Sequence, residues 1–382
     1  MTDARRLTVV QVLPALDSGG VERGTLEIGR ALVEAGHRSI VVSNGGRLVA
    51  QLEREGSEHV RMPVHRKSLR SFLQVRPFRR LLAELQPDIV HARSRIPAWI
   101  AFLAWRKMDP ATRPRFVTTV HGMYSVSRYS EIMTKGEAVI VISESVRDYV
   151  LKNYPACPPE RLRLIYRGVD PQEFPWGLQP DADWLARWRA QHPQLAGKKV
   201  LALPGRLSRV KGHETFLRLM QALCRERDDL HALIIGGEEP NKPGYPGELQ
   251  RRVQELGLTG VVTFTGHRDD LNLVLTQCDL VFALRVTPEA FGRTTLEPLR
   301  LGRPLIGWDV GGSGEVIRRI FPFGAVPAGD EALLLQRVRA WLATPQYPAE
   351  SRDFLLSDMC DRTLACYREL AAGRRLPSGR LQ

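Results

Sequence analysis

Short apolar runs alternate with amphipathic stretches over most of this 382-residue chain. Residues 7–13 form a largely apolar run of the kind a parallel strand shows when both its faces are buried. Apolar positions then recur at helical spacing through Leu26, Ile28, Leu32 and Val33 up to Gly36. Further strands are expected at 39–43, 59–62, 88–91, 115–120, 138–142 and 162–165. Helices are expected at 47–55, 78–85 and 96–105, and a Ser143-capped one runs through Tyr149. Residues 171–180, rich in Pro and Gly, read as a linker. The pattern then restarts, with strands at 199–203, 231–235, 261–264, 280–284 and 304–308. Helices at 213–224, 248–256, 271–277 and 294–301 intervene, and a terminal helix at 351–370 precedes a basic tail, 374–382.

This alternation predicts an α/β fold of two doubly wound, mostly parallel sheets. One domain is expected over 1–170 together with 351–382, and a second over 181–350. Ligands bind beyond the carboxyl ends of strands in such sheets, so two facing sheets are expected to share one cleft.

Charge changes the picture because it is uneven. The first 170 residues hold 27 Lys/Arg against 17 Asp/Glu, and the rest 28 against 25. Residues 61–80 carry Arg61, Arg66, Lys67, Arg70, Arg76, Arg79 and Arg80 with no acid at all. Leu69, Phe72, Leu73, Phe78, Leu81 and Leu82 are interleaved among them. A basic, partly apolar segment of this kind suits an anionic membrane face or a phosphorylated acceptor. No nucleic-acid motif accompanies it, so nucleic acid is not an expected partner. Five scattered cysteines without a C-x-x-C pair point to reduced thiols in the cytosol and away from a zinc site. No apolar run approaches the ~20 residues that span a bilayer, and no signal-peptide core precedes the first strand.

Candidate chemistry lies in the loops at the strand ends. Gly19-Gly20-Val21-Glu22 opens the first helix, where paired glycines let backbone amides approach a phosphate. The spacing is not that of a dinucleotide fingerprint. Gly205 to Gly212 presents Arg206 and Lys211 five residues apart, a guanidinium and an ammonium suited to a diphosphate. Gly236-Gly237 and Gly266-His267 are expected backbone contacts to a nucleotide base. His121-Gly122 ends a strand, where an imidazole suits a sugar hydroxyl or a departing phosphate. Glu289 and Glu297 flank Ala290-Phe291-Gly292 and Thr294, with Glu289 on a loop and Glu297 about one turn into a helix. Pro298 belongs in a first helical turn, which would move the start of that helix beyond 294. Gly311-Gly312 repeats the glycine-then-helix arrangement.

In this order these residues resemble the family 4 glycosyltransferases of GT-B architecture. The resemblance spans about 9–343, and His91 to Arg95 with Tyr166 to Asp170 look like the lipopolysaccharide-core and envelope-polysaccharide branch. It implies a retaining, metal-independent enzyme that moves a hexosyl or other sugar from a nucleotide-sugar to an acceptor hydroxyl. It implies no cofactor; a UDP-sugar is the expected donor, a substrate. Arg206 and Lys211 would meet the diphosphate, Glu297 the ribose, and Glu289 the sugar, with Ala290, Phe291, Gly292 and Thr294 beside it. Gly19, Gly20 and Gly205 would meet phosphates, and Gly237 and His267 the nucleotide. His121 would stand near sugar and acceptor. Arg66, Lys67, Arg70, Arg93 and Arg95 would serve a lipid-linked acceptor or the inner membrane surface, with the protein cytoplasmic and peripherally attached. The alternatives are a GT-B epimerase, a soluble-acceptor transferase, or a non-catalytic nucleotide-sugar-binding subunit.

Overall fold

The computed structural model describes residues 5–17, 19–66, 68–238 and 244–373. Ser18, Lys67, the side chain of Leu69 and the 374–382 tail lie outside the described residues. The chain divides into two compact units, Met1–Tyr166 with Leu356–Gln382, and Arg167–Leu355.

The described residues of the first unit carry seven strands. They are β1 (Thr8–Val12), β2 (Arg38–Ser43), β3 (Glu58–Arg61), β4 (Ile89–Ala92), β5 (Arg115–Val120), β6 (Ala138–Val141) and β7 (Leu162–Leu164). Their order is β3-β2-β1-β4-β5-β6-β7 and every pairing is parallel. The second unit holds β8 (Lys199–Pro204), β9 (Leu230–Ile235), β10 (Val262–Gly266), β11 (Leu280–Ala283), β12 (Leu305–Trp308) and β13 (Ala325–Val326). Their order is β10-β9-β8-β11-β12-β13, again all parallel. The central strands are apolar because helices cover both sheet faces; β4 and β9 are buried along their whole length. β13 escaped the sequence pattern because two residues show no period.

Both sheets reverse strand order at one point, between β1 and β4 and between β8 and β11. There the outgoing loops diverge and leave a crevice at the strand carboxyl ends. The loops after β8 and β11 carry Gly205 to Gly212 and Glu289, so topology alone brings those two motifs together.

The terminal helix, Leu356–Ala372, packs on the first unit's sheet. Met359, Leu364 and Tyr367 join Leu7, Val9, Ile28 and Leu32 in one buried cluster. The helix begins later than its pattern predicts because Phe354 takes a left-handed φ of 58°. That conformation breaks a helix and is unfavourable for a residue with a side chain. The Phe354 ring meets Phe291 edge-on at 5.7 Å, and its carbonyl accepts from the Val169 amide at 3.1 Å.

Candidate active site

In the second unit the switch-point loops border an open recess walled by Pro204, Lys211, Arg285, Thr287, Glu289, Thr294 and Ser313 among others. Its geometry depends on two glycines. Gly212 sits at φ 83°, and a Cβ there would lie 2.0 Å from the Leu284 carbonyl. Only glycine therefore lets the turn ending in Lys211 close on the end of β11. Gly292, at φ 88°, leaves no room for a Cβ, which would fall 2.1 Å from Ser313 Oγ. That approach brings the helix Gly311–Ile320 against the Glu289 loop, and the Gly312 amide donates to the Glu289 carbonyl at 2.7 Å.

The result is a charged cluster centred on Glu289. Lys211 Nζ lies 3.5 Å and Arg285 Nη1 3.6 Å from Glu289 Oε1. Ser313 Oγ donates to Oε2 at 3.3 Å and accepts from Thr295 Oγ1 at 3.2 Å. Glu289 is half-buried, so its partners are felt more strongly than at an open surface. Glu297 is more enclosed, and Arg293 Nε pairs with its Oε1 at 3.2 Å.

The helix carrying Glu297 runs Arg293–Arg300, starting earlier than the proline suggested, and Pro298 sits inside it. A proline there removes the N–H that the Thr294 carbonyl would otherwise receive. Thr294 lines the recess. Phe291 is buried. Gly237 and His267 adjoin, with a Cβ on the glycine 3.3 Å from the histidine Cβ. His267 is exposed and bonds Asp269 at 3.1 Å. Arg206 is exposed and forms no ion pair among the described residues, and it is not part of the recess wall. Arg285 and Ser313 went unread as site residues. The available signal for Arg285 was a cation directly after the apolar run of β11.

In the first unit, Gly19 caps the helix Gly20–Glu34. The Glu22 carboxyl folds back so closely that a Cβ on Gly19 would lie 2.6 Å from its Oε2. Burial, reinforced by Asp17 and opposed by Glu22's own amide and Arg93, raises the Glu22 pKa. The chain's own acid thus lies where a phosphate was expected. His121 is half-buried after β5, and its amide donates to Tyr124 Oη at 3.3 Å. Arg95 lies between the Tyr124 and Tyr129 rings, 4.7 and 5.1 Å from their centroids, and donates to Ser130 Oγ at 3.2 Å.

Arg93 departs from the expectation of an acceptor or membrane contact. It is 3% exposed, and Nη1 donates to Gln11 Oε1 at 2.8 Å, while Gln11 Nε2 donates to the Thr25 carbonyl at 3.1 Å. A guanidinium sealed in that way cannot meet a lipid. The basic segment also divides. Arg66 and Arg70 are exposed, as are Phe72 and Leu73, whereas Phe78 and Leu82 point into the core. No helix among the described residues is long and apolar enough to cross a membrane. Among them, no three His, Cys, Asp or Glu side chains converge as a metal-binding group.

Comparison with known proteins agrees with this fold. The Glycosyltransferase Family 4 model matches residues 18–173 and the Glycosyl transferases group 1 model matches 186–353. The chain is 28% identical over 284 residues to the alpha-maltose-1-phosphate synthase of Mycolicibacterium smegmatis, covering 68% of this chain and 70% of that one. It is 24% identical over 331 residues to the phosphatidyl-myo-inositol mannosyltransferase of Mycobacterium leprae, covering 85% and 84%. Several further relatives are matched over 40% to 62% of their length. A glycosyltransferase from Rickettsia africae superposes with a TM-score of 0.85 at 27% identity, over 96% of this chain and 99% of that one. With both halves matched in order, on two parallel sheets, the chain belongs to the GT-B glycosyltransferases.

Proposed function

We propose that this enzyme transfers a sugar, with retention, from a nucleotide-sugar to an acceptor hydroxyl, and that the donor occupies the Glu289 recess. The observation that carries the reading is the convergence of Lys211, Glu289 and Ser313 at the β8/β11 switch point. A diphosphate entering there meets the Lys211 ammonium and the amide-rich start of the helix Gly311–Ile320, and Arg206 stands at the end of β8 to add a fork. These groups do the work that a metal ion performs elsewhere. Glu289, with the amides of Ala290 to Gly292, orients the sugar. Glu297 reaches the ribose after exchanging Arg293 for its hydroxyls, and Gly237 and His267 border the base.

In the reaction the bond between the anomeric carbon and the phosphate oxygen breaks as the acceptor oxygen bonds that carbon on the same face. The acceptor proton passes to the departing phosphate. Lys211 stabilises the charge that develops on the leaving group, the larger part of catalysis in such transfers.

The acceptor in this reading bears phosphate, as a lipid-linked envelope glycan or a lipopolysaccharide core does. The relatives' printed names, a maltose-1-phosphate synthase and a phosphatidyl-inositol mannosyltransferase, fit a phosphorylated acceptor. This reading assigns Arg95, Arg66 and Arg70 to that phosphate. Exposed Phe72 and Leu73 would let the same face rest on an anionic inner-membrane surface.

The test is a thermal-shift screen against UDP, GDP and ADP, because a ligand that binds only the folded state raises the melting temperature. UDP is expected to give the largest rise. Turnover of Glu289→Gln with the sugar donor so identified completes it, and wild-type turnover in that variant would remove the proposed role of the carboxylate.

A further inference from the structure

Glu289 carries one negative charge, yet two cations share a single oxygen of it. Lys211 Nζ is 3.5 Å and Arg285 Nη1 3.6 Å from Oε1, so neither pair is a short contact. The two cations are held differently. Arg285 Nε donates to the carbonyl and the hydroxyl of Thr287 at 3.1 and 3.2 Å. This fixes the root of its guanidinium on the loop after β11 and leaves the far nitrogens toward the carboxylate. Lys211 has no second anchor of that kind among the described contacts; its stem lies over Gly205, with Cδ 3.3 Å from where a Cβ would be.

We propose that Arg285 is a positioning residue for sugar transfer. It keeps Glu289 paired and oriented while Lys211 leaves that carboxylate for the donor diphosphate. The inference rests on the recess being the donor site. If Lys211 were the sole partner, donor binding would strip Glu289 of its cation beside two phosphate charges. In a half-buried recess an unpaired carboxylate is costly and swings away from its neighbours. Arg285 removes that obstacle, because Glu289 retains a cation throughout the exchange. The division of labour suits the two side chains. A compact ammonium on a flexible stem moves easily, whereas a planar guanidinium anchored at one edge holds direction. Ser313, backed by Thr295, restrains the other oxygen. Two fixed groups therefore hold the carboxylate, and one transferable group is shared with the substrate.

The experiment compares Arg285→Ala, Arg285→Lys and Lys211→Ala in the full chain, reading kcat and KM for the donor sugar nucleotide and calorimetric affinity for UDP. Loss of Arg285 is expected to lower kcat about 10- to 100-fold, with UDP affinity falling only a few-fold, because the guanidinium acts through Glu289. Arg285→Lys should recover part of the lost kcat, and Lys211→Ala should lose UDP binding directly. Wild-type kcat in Arg285→Ala, with UDP binding lost in Lys211→Ala, overturns the inference alone. Unchanged UDP binding in Lys211→Ala overturns the donor-site reading with it. A kcat deficit that tracks a fall in melting temperature and is not recovered by lysine makes Arg285 structural, and also overturns the inference.

Discussion

Two polar clusters lie at the strand ends of this enzyme, and they are built on opposite principles. In the first unit, His91 is buried between Tyr367 Oη and Thr119 Oγ1, each 2.6 Å away, and Arg93 is sealed against Gln11. Around Glu289 in the second unit, the contacts run from 3.3 to 3.6 Å and the groups are partly open to water. Buried polar groups with short bonds are fixed, since breaking one strands its partner. Long, shared, half-open contacts are cheap to exchange. The first cluster therefore holds the fold, and the second is ready to trade its internal partners for a substrate.

The largest effect should come from removing a member of the exchangeable cluster. Lys211→Ala is expected to lower kcat/KM about 100- to 1,000-fold, in the range lost with one preorganised donor at a developing charge. Its melting temperature should stay near wild type, since a half-open ion pair contributes little to stability. A fall in both together would place Lys211 with the structural cluster and erase the contrast.

Next in size is the reverse case. His91→Phe removes the centre of two short buried bonds and leaves Tyr367 and Thr119 without their shared partner. A loss of about 2–4 kcal/mol in denaturant unfolding is expected, the scale of buried polar groups left unsatisfied. Because Tyr367 belongs to the terminal helix, the loss should appear first as exchange of that helix's amides with solvent. Unchanged stability would show the bonds to be incidental.

How much of this was legible beforehand depends on what each residue's role requires. Most strands followed from period, because burial on both sheet faces leaves an apolar run, whereas the two-residue β13 and the helix Glu331–Ala343 did not. That Glu289, Lys211 and Thr294 line one recess was legible because Lys211 and Glu289 stand on loops at strand ends and Thr294 opens the helix that follows. Arg93 and Arg95 show the limit. They stand two residues apart in one basic motif, yet one is sealed under the helix Gly20–Glu34 and the other lies between two tyrosines. Spacing cannot tell which side of a strand end is covered, since that depends on Gln11 and Thr25, about 70 to 80 residues earlier in the chain. Arg285 was hidden for a similar reason. Its path toward Glu289 follows from the Thr287 turn, which has no sequence period.

A pH titration probes a buried polar group of the second unit that belongs to neither cluster. His213 is fully buried at the start of the helix His213–Cys224, directly after Gly212. Burial, partly offset by the Ser208 backbone and reinforced by Lys211, pushes its pKa down from 6.5 to about 4. The unfolded chain then binds a proton that the folded chain refuses between those values. Stability from this residue is present in full above pH 6.5 and is lost as pH falls toward 4, by up to ~3 kcal/mol. His213→Phe should flatten that part of the stability curve. An unchanged slope in the variant would assign the acid loss to other groups.

The smallest effect belongs to the surface, where neither principle applies. Leu73 is 71% exposed beside Phe72, with Arg66 and Arg70 exposed on the same stretch. An exposed leucine adds nothing to the core, so Leu73→Ser should change unfolding stability by less than about 0.5 kcal/mol. The same leucine is worth about 1–2 kcal/mol if it enters a lipid interface. Sedimentation with vesicles of anionic phospholipid is therefore expected to fall roughly tenfold in the variant. Neutral vesicles should bind weakly with or without it, because the surrounding arginines need a negative surface. Equal binding by variant and wild type would leave the arginines to a phosphorylated acceptor, and the apolar pair would have no part in holding the enzyme at a membrane.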